Sequence, residues 1–266
     1  MTASMTGTAL RATNVQFSYE DPTTREFLLA IERMDIEIPV GEFVSIVGPS
    51  GCGKSTFLKI VNGLLPEFSG DIEVLKATHG VAHAMVFQDS SLFPWYSVLS
   101  NVSYGLTCQG VGKKEAHAKA MPFIEMVGLK GFEHKYPYQL SGGMQQRANL
   151  ARALTVDPEI LLMDEPFAAL DAQTRELMQA ELLRIWSEAK KTVLFITHQI
   201  DEAIYLSDRV IVMSARPGKI LADIKIDLPR PRNLEIKRQP HFIELADEIW
   251  RMIANQLNMP VADGAA

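Results

Sequence analysis

The stretch GPSGCGKST, residues 48–56, holds three glycines in nine residues and little that could fill a protein core. The apolar run FVSIV before it, residues 43–47, has the length and the β-branched side chains of a buried strand. The residues TFLKIVNGLL, which overlap its end, carry apolar side chains at helical spacing. The loop between this strand and this helix has few side chains, and its glycines allow a ligand to approach the backbone closely. We therefore predict that its main-chain N–H groups contact the ligand.

Such a loop suits an anion, since its N–H groups and the positive end of the following helix both favour negative charge. Lys54 adds a mobile positive charge that can reach the β- and γ-phosphates of a nucleotide, and the Ser55 hydroxyl is placed to bind Mg²⁺. The pattern G-x-x-x-x-G-K-[ST] is the phosphate-binding loop, or P-loop. The residues predicted to hold a nucleoside triphosphate here are Gly48, Pro49, Ser50, Gly51, Cys52, Gly53, Lys54, Ser55 and Thr56.

Composition narrows the class of protein. A length of 266 residues suits one large α/β domain with a smaller helical insertion. The 26 Lys and Arg against 32 Asp and Glu give a net charge of −6, which argues against nucleic acid as the main partner. Two cysteines form neither a disulfide framework nor a metal-ligand spacing. Since neither a signal peptide nor an apolar stretch of about 20 residues is visible, we expect a cytosolic protein whose membrane role comes through a partner.

Strand and helix patterns alternate along most of the chain. Residues 10–47 predict several strands, and residues 89–156, which are punctuated by Pro and Gly, predict a helical insertion. Beyond it, the strand patterns are EILLMDEP (159–166), KTVLFITH (191–198) and DRVIVMS (208–214), with a long helix pattern at 172–190. The predicted fold is α/β, with a parallel sheet in a P-loop NTPase core, an N-terminal antiparallel β subdomain and an inserted helical subdomain.

The C-terminal residues predict an amphipathic helix after a linker. DLPRPRN is a proline-broken connection, and FIELADEIWRMIANQL, residues 242–257, has apolar side chains at positions 242, 245, 246, 249, 252, 253 and 257. We expect this face to dock on the protein itself, because apolar stripes usually face a core. A surface for a partner is the alternative.

Two adjacent carboxylates end the apolar run ILLMDEP, residues 160–166. This pattern is typical of a buried central strand that carries its chemistry at the carboxyl end. Since successive strand side chains point to opposite faces, Asp164 and Glu165 have different roles. Asp164 is predicted to hold Mg²⁺ as a Walker-B-type carboxylate, and Glu165 to act on the attacking water as a general base or an orienting acceptor. The alternative is that both cap the next helix.

The stretch LSGGMQQRA, residues 140–148, places Ser141, Gly142 and Gly143 before a helix, which makes a second anion-binding helix start. Here the sequence resembles the nucleotide-binding subunit of an ATP-binding cassette (ABC) transporter, whose signature motif LSGGQ is present as LSGGM. In that family two subunits pair head to tail, so each ATP lies between the P-loop of one and the LSGG of the other. We expect a small effect from Met144, because Ser141 and the two glycines would contact the phosphate.

The resemblance implies roles for further residues. Gln88 resembles the Q-loop glutamine, which contacts Mg²⁺ and the lytic water and whose loop faces the membrane partner. His198 resembles the switch histidine, which contacts the γ-phosphate and helps to position Glu165, and the segment 169–171 resembles the D-loop at the dimer interface. Tyr19 takes the place of the adenine-stacking aromatic residue. Phe17 is the competing choice, because strand alternation puts both rings on one face.

The stretches DSSLFPWYSVLSNV, THQIDEAIYLSDRVIVMSARPGKI and DLPRPR resemble the importer ATPases of the nitrate, sulfonate and taurine group. The resemblance implies an ABC ATPase domain over residues 8–225, with a helical subdomain at about 89–156, followed by a linker and helix over 226–266. The cluster of Leu92, Phe93, Pro94 and Trp95 is predicted to receive the coupling helix of a permease, or else to pack under the helical insertion.

The expected function is therefore that of the ATP-hydrolysing subunit of an importer. It would work as a homodimer on the cytoplasmic face of the membrane, beneath an integral permease that receives a small solute from a solute-binding protein. Two alternatives belong to other classes: a soluble ABC ATPase that acts on nucleic acid or ribosomes, and a regulatory module that senses ATP. The short span between P-loop and signature argues against the first, and Glu165 with His198 argues against the second.

Overall fold

The computed structural model describes residues 7–77 and 80–257. The chain divides into two compact units. The first unit consists of Met1–Leu75 and Lys190–Ala266, and the second unit of Lys76–Ala189. Strands and helices occur in both, so the predicted α/β class is confirmed. Within the described ranges, no helix is at once long enough and apolar enough to cross a membrane.

The elements follow one another in an alternating order. The strands are β1 (Thr8–Glu20), β2 (Phe27–Pro39), β3 (Phe43–Val47), β4 (Ser69–Val74), β5 (Val81–Val86), β6 (Pro158–Asp164), β7 (Thr192–Ile196), β8 (Arg209–Met213) and β9 (Gly218–Lys225). The helices are α1 (Lys54–Val61), α2 (Val98–Cys108), α3 (Lys113–Met126), α4 (Gly142–Thr155), α5 (Ala172–Ala189), α6 (Ile200–Leu206) and α7 (Pro240–Gln256). Short 3-10 helices lie at Pro137–Gln139 and Leu234–Arg238.

The sheet of the first unit has the strand order β4-β1-β2-β9-β8-β3-β7. Its β4, β1 and β2 strands pair antiparallel, as predicted for the N-terminal residues, whereas β8, β3 and β7 are parallel. Strands β3 and β7 are buried at every position, because apolar β-branched runs are covered on both faces. Their carboxyl ends are adjacent, with Ile46 beside Ile196. The residues that follow each strand therefore emerge at the same edge of the sheet.

In the second unit, β5 and β6 form a parallel pair, with Val86 beside Met163. Helices α2, α3 and α4 pack against one another within residues 89–156. The stretch AHAMVFQ, residues 82–88, predicts a strand that ends at Gln88, whereas strand β5 ends at Val86. The physical reason is that the Gln146 side chain of α4 donates to the carbonyl of Phe87 at 2.9 Å, which takes this carbonyl out of any strand pairing.

Two elements were missed by sequence analysis, the short helix α6 and the strand β9. The alternating burial of β9 is a period-two signal that its residues GKILADIK could have revealed. Helix α7 buries Phe242, Leu245, Ile249 and Ile253 against elements of the first unit. The expected docking of its apolar face on the protein is therefore confirmed.

Candidate functional site

The phosphate-binding loop leaves the carboxyl end of β3 and enters α1 at Lys54. Gly51 and Gly53 have φ angles of 74° and 102°, a left-handed conformation that residues with a Cβ rarely adopt. Among the residues that the structure describes, no side chain caps α1, and Gly53 occupies the N-cap position. The start of this helix is therefore presented by main-chain groups, which is the arrangement expected for an anion site.

Lys54 is only 6% exposed although it carries a charge. Its Nζ donates to the carbonyl oxygens of Gly48 at 2.8 Å and Pro49 at 2.9 Å, and lies 3.7 Å from the Sγ of Cys52. In the described part of the chain it forms no ion pair with a carboxylate. Burying a cation whose hydrogen-bond acceptors are all neutral costs free energy. Such a cation is typical of a site that binds an anionic ligand.

The two candidate aromatic residues for the adenine differ in exposure. Tyr19 is 41% exposed, and its hydroxyl lies 2.9 Å from the Oγ1 of Thr56 in α1. Phe17 is 9% exposed and belongs to the core, with its ring edge-on to that of Tyr19 at 4.8 Å. The pairing of β1 with β2 is irregular between Phe17 and Ser18, so simple alternation does not hold there. Of the two rings, that of Tyr19 is the accessible one and is tied to the phosphate-binding loop.

His198 is exposed and lies two residues beyond the end of β7. The turn that carries it is held by residues that the sequence analysis did not single out. The Thr197 hydroxyl donates to the carboxylate of buried Glu202 at 2.5 Å and accepts the N–H of Gln199 at 3.0 Å. Glu202 stands in the first turn of α6, and acidic residues at a helix start are the signal that could have found it.

In the second unit, buried Asp164 ends β6 and half-buried Glu165 begins the turn after it. The Nε2 of Gln88 donates to the Oε2 of Glu165 at 3.1 Å, so the two residues predicted to handle the attacking water are in direct contact. Glu165 has a φ of 46°. A left-handed glutamate costs on the order of 1 kcal/mol, and such strain is concentrated at functional sites.

The alternative role of Asp164 and Glu165, as caps of the next helix, does not match the structure. The start of α5 is capped by Asp171, whose Oδ1 accepts the N–H of Thr174 at 3.0 Å. This main-chain hydrogen bond holds the pKa of the Asp171 carboxyl below its usual value. Asp164 and Glu165, at the end of β6, are therefore not the residues that cap α5.

The predicted signature segment forms the start of α4. Ser141 caps this helix, with its Oγ accepting the N–H of Met144 at 3.3 Å, so the main chain and not the side chain of Met144 takes part. Ser141 and Gly142 are exposed. A Cβ added at Gly142 would meet no heavy atom of the described chain within 4 Å, whereas one at Gly143 would meet the side chain of Leu170 at 3.1 Å. Internal packing therefore does not require a glycine at position 142, and the helix start is open.

The aromatic cluster after Gln88 is divided between core and surface. Leu92 is buried, whereas Trp95 is 67% exposed. The Phe93 ring packs against two aromatic rings, with centroid distances of 5.7 Å to Trp95 and 4.7 Å to Tyr104. A cavity of about 360 Å³ adjoins this cluster and is lined in part by Phe93, Tyr104 and Arg152. The cluster therefore combines an internal anchor with an exposed aromatic surface beside a cavity.

The donor types at the predicted magnesium ligands fit that ion. They are the hydroxyl of Ser55, the side-chain amide oxygen of Gln88 and the carboxylate of Asp164, all of them hard oxygen donors. Mg²⁺ is usually held by one or two protein groups together with water and substrate phosphates. The described residues contain no cluster of three or more His, Cys, Asp or Glu side chains that could hold a metal ion.

Comparisons with known proteins point to one family. Residues 31–168 match the family model described as ABC transporter. An uncharacterized ABC transporter ATP-binding protein of Methanocaldococcus jannaschii is 50% identical over 232 residues, which are 86% of this chain and 85% of that protein. The nitrate import ATP-binding protein of Synechocystis is 44% identical over 238 residues, or 86% of this chain and 90% of that protein.

A solved structure agrees with these relatives. It is the dimeric, post-hydrolysis state of an ATP-binding cassette bound to ADP and Pi, and it is 32% identical in sequence. The match has a TM-score of 0.73 and covers 83% of this chain and all of that chain. The similarity therefore extends over both units described above.

Proposed function

This chain belongs to the ABC transporter family, and on that basis we propose that it is the ATP-hydrolysing subunit of an importer. The observation that carries the proposal is the hydrogen bond from Gln88 to Glu165. It joins the carboxylate predicted to act on water to the segment that leads, seven residues later, to exposed Trp95. The same segment thus contacts Glu165, the residue proposed to act on the water, and presents at Trp95 a surface on which a membrane partner could act.

ATP binding is assigned to the first unit. The main-chain groups of residues 48–53 and the start of α1 would surround the phosphates, and the ammonium of Lys54 would exchange the carbonyls of its own loop for phosphate oxygens. The exposed ring of Tyr19 would stack on the adenine, with its orientation held by Thr56. Ser55 would contribute its hydroxyl to the magnesium ion that accompanies the nucleotide.

Hydrolysis is assigned to Glu165, with Gln88 and His198 as its partners. Glu165 would accept a proton from the water or orient it, and Gln88 would fix the carboxylate through the hydrogen bond already present. His198 would contact the γ-phosphate from the end of β7. Mg²⁺, held by Asp164, Ser55 and Gln88 together with the phosphates, would offset the negative charge that develops on them.

The open start of α4 supports a site shared between two copies of the chain. Ser141, Gly142 and Gly143 would bind the phosphates of an ATP held by the P-loop of the partner protomer. Because two ATP molecules contact both protomers only in the closed dimer, ATP binding favours closure, and hydrolysis allows reopening. The dimeric relative bound to ADP and Pi supports this arrangement.

Replacing Gly142 by aspartate should lower the ATPase rate by about tenfold or more, because a carboxylate at this helix start repels the phosphates. The helix itself should not suffer, since an acidic residue in the first turn complements the helix dipole. The measurement is the steady-state ATPase rate together with ATP binding by single protomers, which should be unchanged. Gly112→Asp is the matched control, because Gly112 also starts a helix and also faces open space. An unchanged rate in Gly142→Asp would remove Gly142 from the shared site.

The transported solute is proposed to be a small solute such as nitrate, a sulfonate or taurine. The motifs of that importer group and the similarity to a nitrate import protein support this choice. The subunit would sit on the cytoplasmic face of the membrane under its permease, which an external solute-binding protein would load. The net charge of −6 does not favour the alternative of an ATPase acting on nucleic acid or ribosomes.

Copurification from solubilised membranes tests the importer assignment. Tagged protein should bring down an integral membrane protein with several spans, and Trp95→Ala should weaken this association by about 30-fold, the effect of losing an aromatic anchor. ATPase activity of the isolated subunit should be unaffected by the change. The control is Trp250→Ala, an exposed tryptophan of the first unit. Recovery of ribosomes or nucleic acid in place of a permease would rule out the transport assignment.

A further inference from the structure

The turn between β8 and β9, residues 214–217, and the first residue of β9, Gly218, lie directly against the phosphate-binding loop within the first unit. The Nε of Arg216 donates to the carbonyl oxygen of Gly51 at 3.2 Å. A Cβ added at Gly218 would lie 2.0 Å from the carbonyl oxygen of Cys52, which shows how closely the two backbones approach. In the sequence, this stretch lies within a segment that resembles the importer ATPases, and the resemblance implies no role for any of its residues.

The turn is itself fixed, so Arg216 projects from a defined backbone. The hydroxyl of Ser214 shares its one proton between the carbonyls of Ala215 and Pro217, at 2.8 and 2.9 Å, and it accepts the N–H of Lys219 at 3.0 Å. At its far end, Gly218 pairs with Ile31 of β2. The hydrogen bonds of Ser214 stabilise the turn internally, and the pairing of Gly218 holds its end in the sheet.

Arg216 is not part of a surface ion pair. Its side chain is exposed, and within the described residues no carboxylate lies within ion-pair distance of it. Its contact in the structure is with the carbonyl of Gly51, a residue of the left-handed turn at the tip of the loop. A structural salt bridge therefore does not account for an arginine at this position.

The hydrogen bond to Gly51 controls the direction of the next N–H group. In a planar trans peptide the C=O of one residue and the N–H of the next point in opposite directions. Arg216 draws the Gly51 carbonyl outward, so the Cys52 N–H points into the loop. Among the residues that the structure describes, its one hydrogen bond is a long one, 3.4 Å, to the carbonyl of Pro49. Such a weakly engaged donor is available to a stronger acceptor, and an acceptor bonded to a charged donor strengthens the N–H on the same peptide.

We propose that Arg216 is a positioning residue of the phosphate-binding loop, which orients the Cys52 N–H toward a phosphate oxygen of the nucleotide. The inference rests on the proposed function, because it requires that the loop binds ATP. Arg216 touches neither the γ-phosphate nor the water in this scheme. Its loss should therefore weaken binding of ATP and of ADP alike, and leave the chemical step at saturating ATP almost unchanged.

The experiment compares Arg216→Ala and Arg216→Lys with the wild-type chain and with Arg33→Ala, an exposed arginine of the same unit. The quantities are the Kd for ATP and for ADP, the KM and kcat of ATP hydrolysis, and the Tm. We expect Arg216→Ala to raise both Kd values and the KM about tenfold, the effect of losing a charged hydrogen bond, with kcat within about twofold of wild type. Arg216→Lys should recover most of the affinity, since an ammonium can donate to the same single carbonyl. Arg33→Ala should behave as wild type.

The outcomes separate this inference from the proposed function. If the wild-type chain binds no ATP, the proposed function fails and the inference fails with it. If the wild type binds ATP and Arg216→Ala binds it equally well, only the inference is overturned. It is also overturned if kcat and Tm fall together with affinity, since that pattern marks a general loss of structure, or if Arg216→Lys recovers nothing.

Discussion

Glu165→Gln is expected to lower the rate of ATP hydrolysis by about 100-fold or more, the usual contribution of a general base, and to leave ATP bound. The amide has the size of the carboxylate and can still accept from Gln88, so the local geometry is retained. What is lost is the negative charge that takes or orients the proton of the water. The measurements are the ATPase rate and the affinity for ATP, together with the oligomeric state in the presence of ATP. The variant should accumulate as a closed dimer, because in the proposed cycle closure needs ATP and reopening needs hydrolysis.

The matched control is Glu188→Gln, which makes the same chemical change at an exposed glutamate of α5 in the second unit. That variant loses only a surface ion pair and should hydrolyse ATP at the wild-type rate. A Glu165→Gln protein that turns over ATP normally would show that the strained glutamate after β6 does not act on the water. The hydrogen bond from Gln88 would then have a structural role only.

Replacing Lys54 by alanine should weaken ATP binding by about 100-fold or more, because the charged hydrogen bonds that the ammonium would make to the phosphate oxygens are lost from a buried site. The buried ammonium now donates to the carbonyls of Gly48 and Pro49, and it is the cation placed inside the loop. Equilibrium titration of ATP against the purified chain gives the affinity directly. Hydrolysis at low ATP concentration should fall in the same proportion.

Lys59→Ala provides the comparison, since Lys59 lies on the same helix in its last turn, away from the loop. That variant should bind ATP as the wild type does. If Lys54→Ala also bound ATP normally, the buried ammonium would be explained by the carbonyls of its own loop alone. The assignment of the nucleotide to this loop would then be untenable.

The parts of the site that depend on local sequence could be predicted. The strand, loop and helix around residues 43–61 follow from one apolar run, the glycines and helical spacing, which act over a few residues. The placement of Asp164 at the end of a buried strand is equally local. The capping of α4 by Ser141 likewise depends on a single turn of helix.

Contacts between distant parts of the chain could not be predicted from these patterns. Gln88 and Glu165 are 77 residues apart, and Arg216 meets Gly51 across 165 residues. Neither the left-handed backbone of Glu165 nor the early end of β5 is encoded in its own neighbourhood, because both depend on packing against other elements. Strand alternation could not decide between Phe17 and Tyr19 for a related reason, since the irregular pairing of β1 with β2 breaks the period at this point.

The resting position of Lys54 has a consequence for the thermodynamics of ligand capture. A lysine side chain loses about 2 kcal/mol of rotamer entropy when it is immobilised. Here that loss already accompanies folding, because the carbonyls of its own loop hold the ammonium. If the loop binds ATP as proposed, the site is preorganised, because the triphosphate would meet a charge that is already in place and needs only to change acceptors. More of the electrostatic attraction is therefore available as affinity.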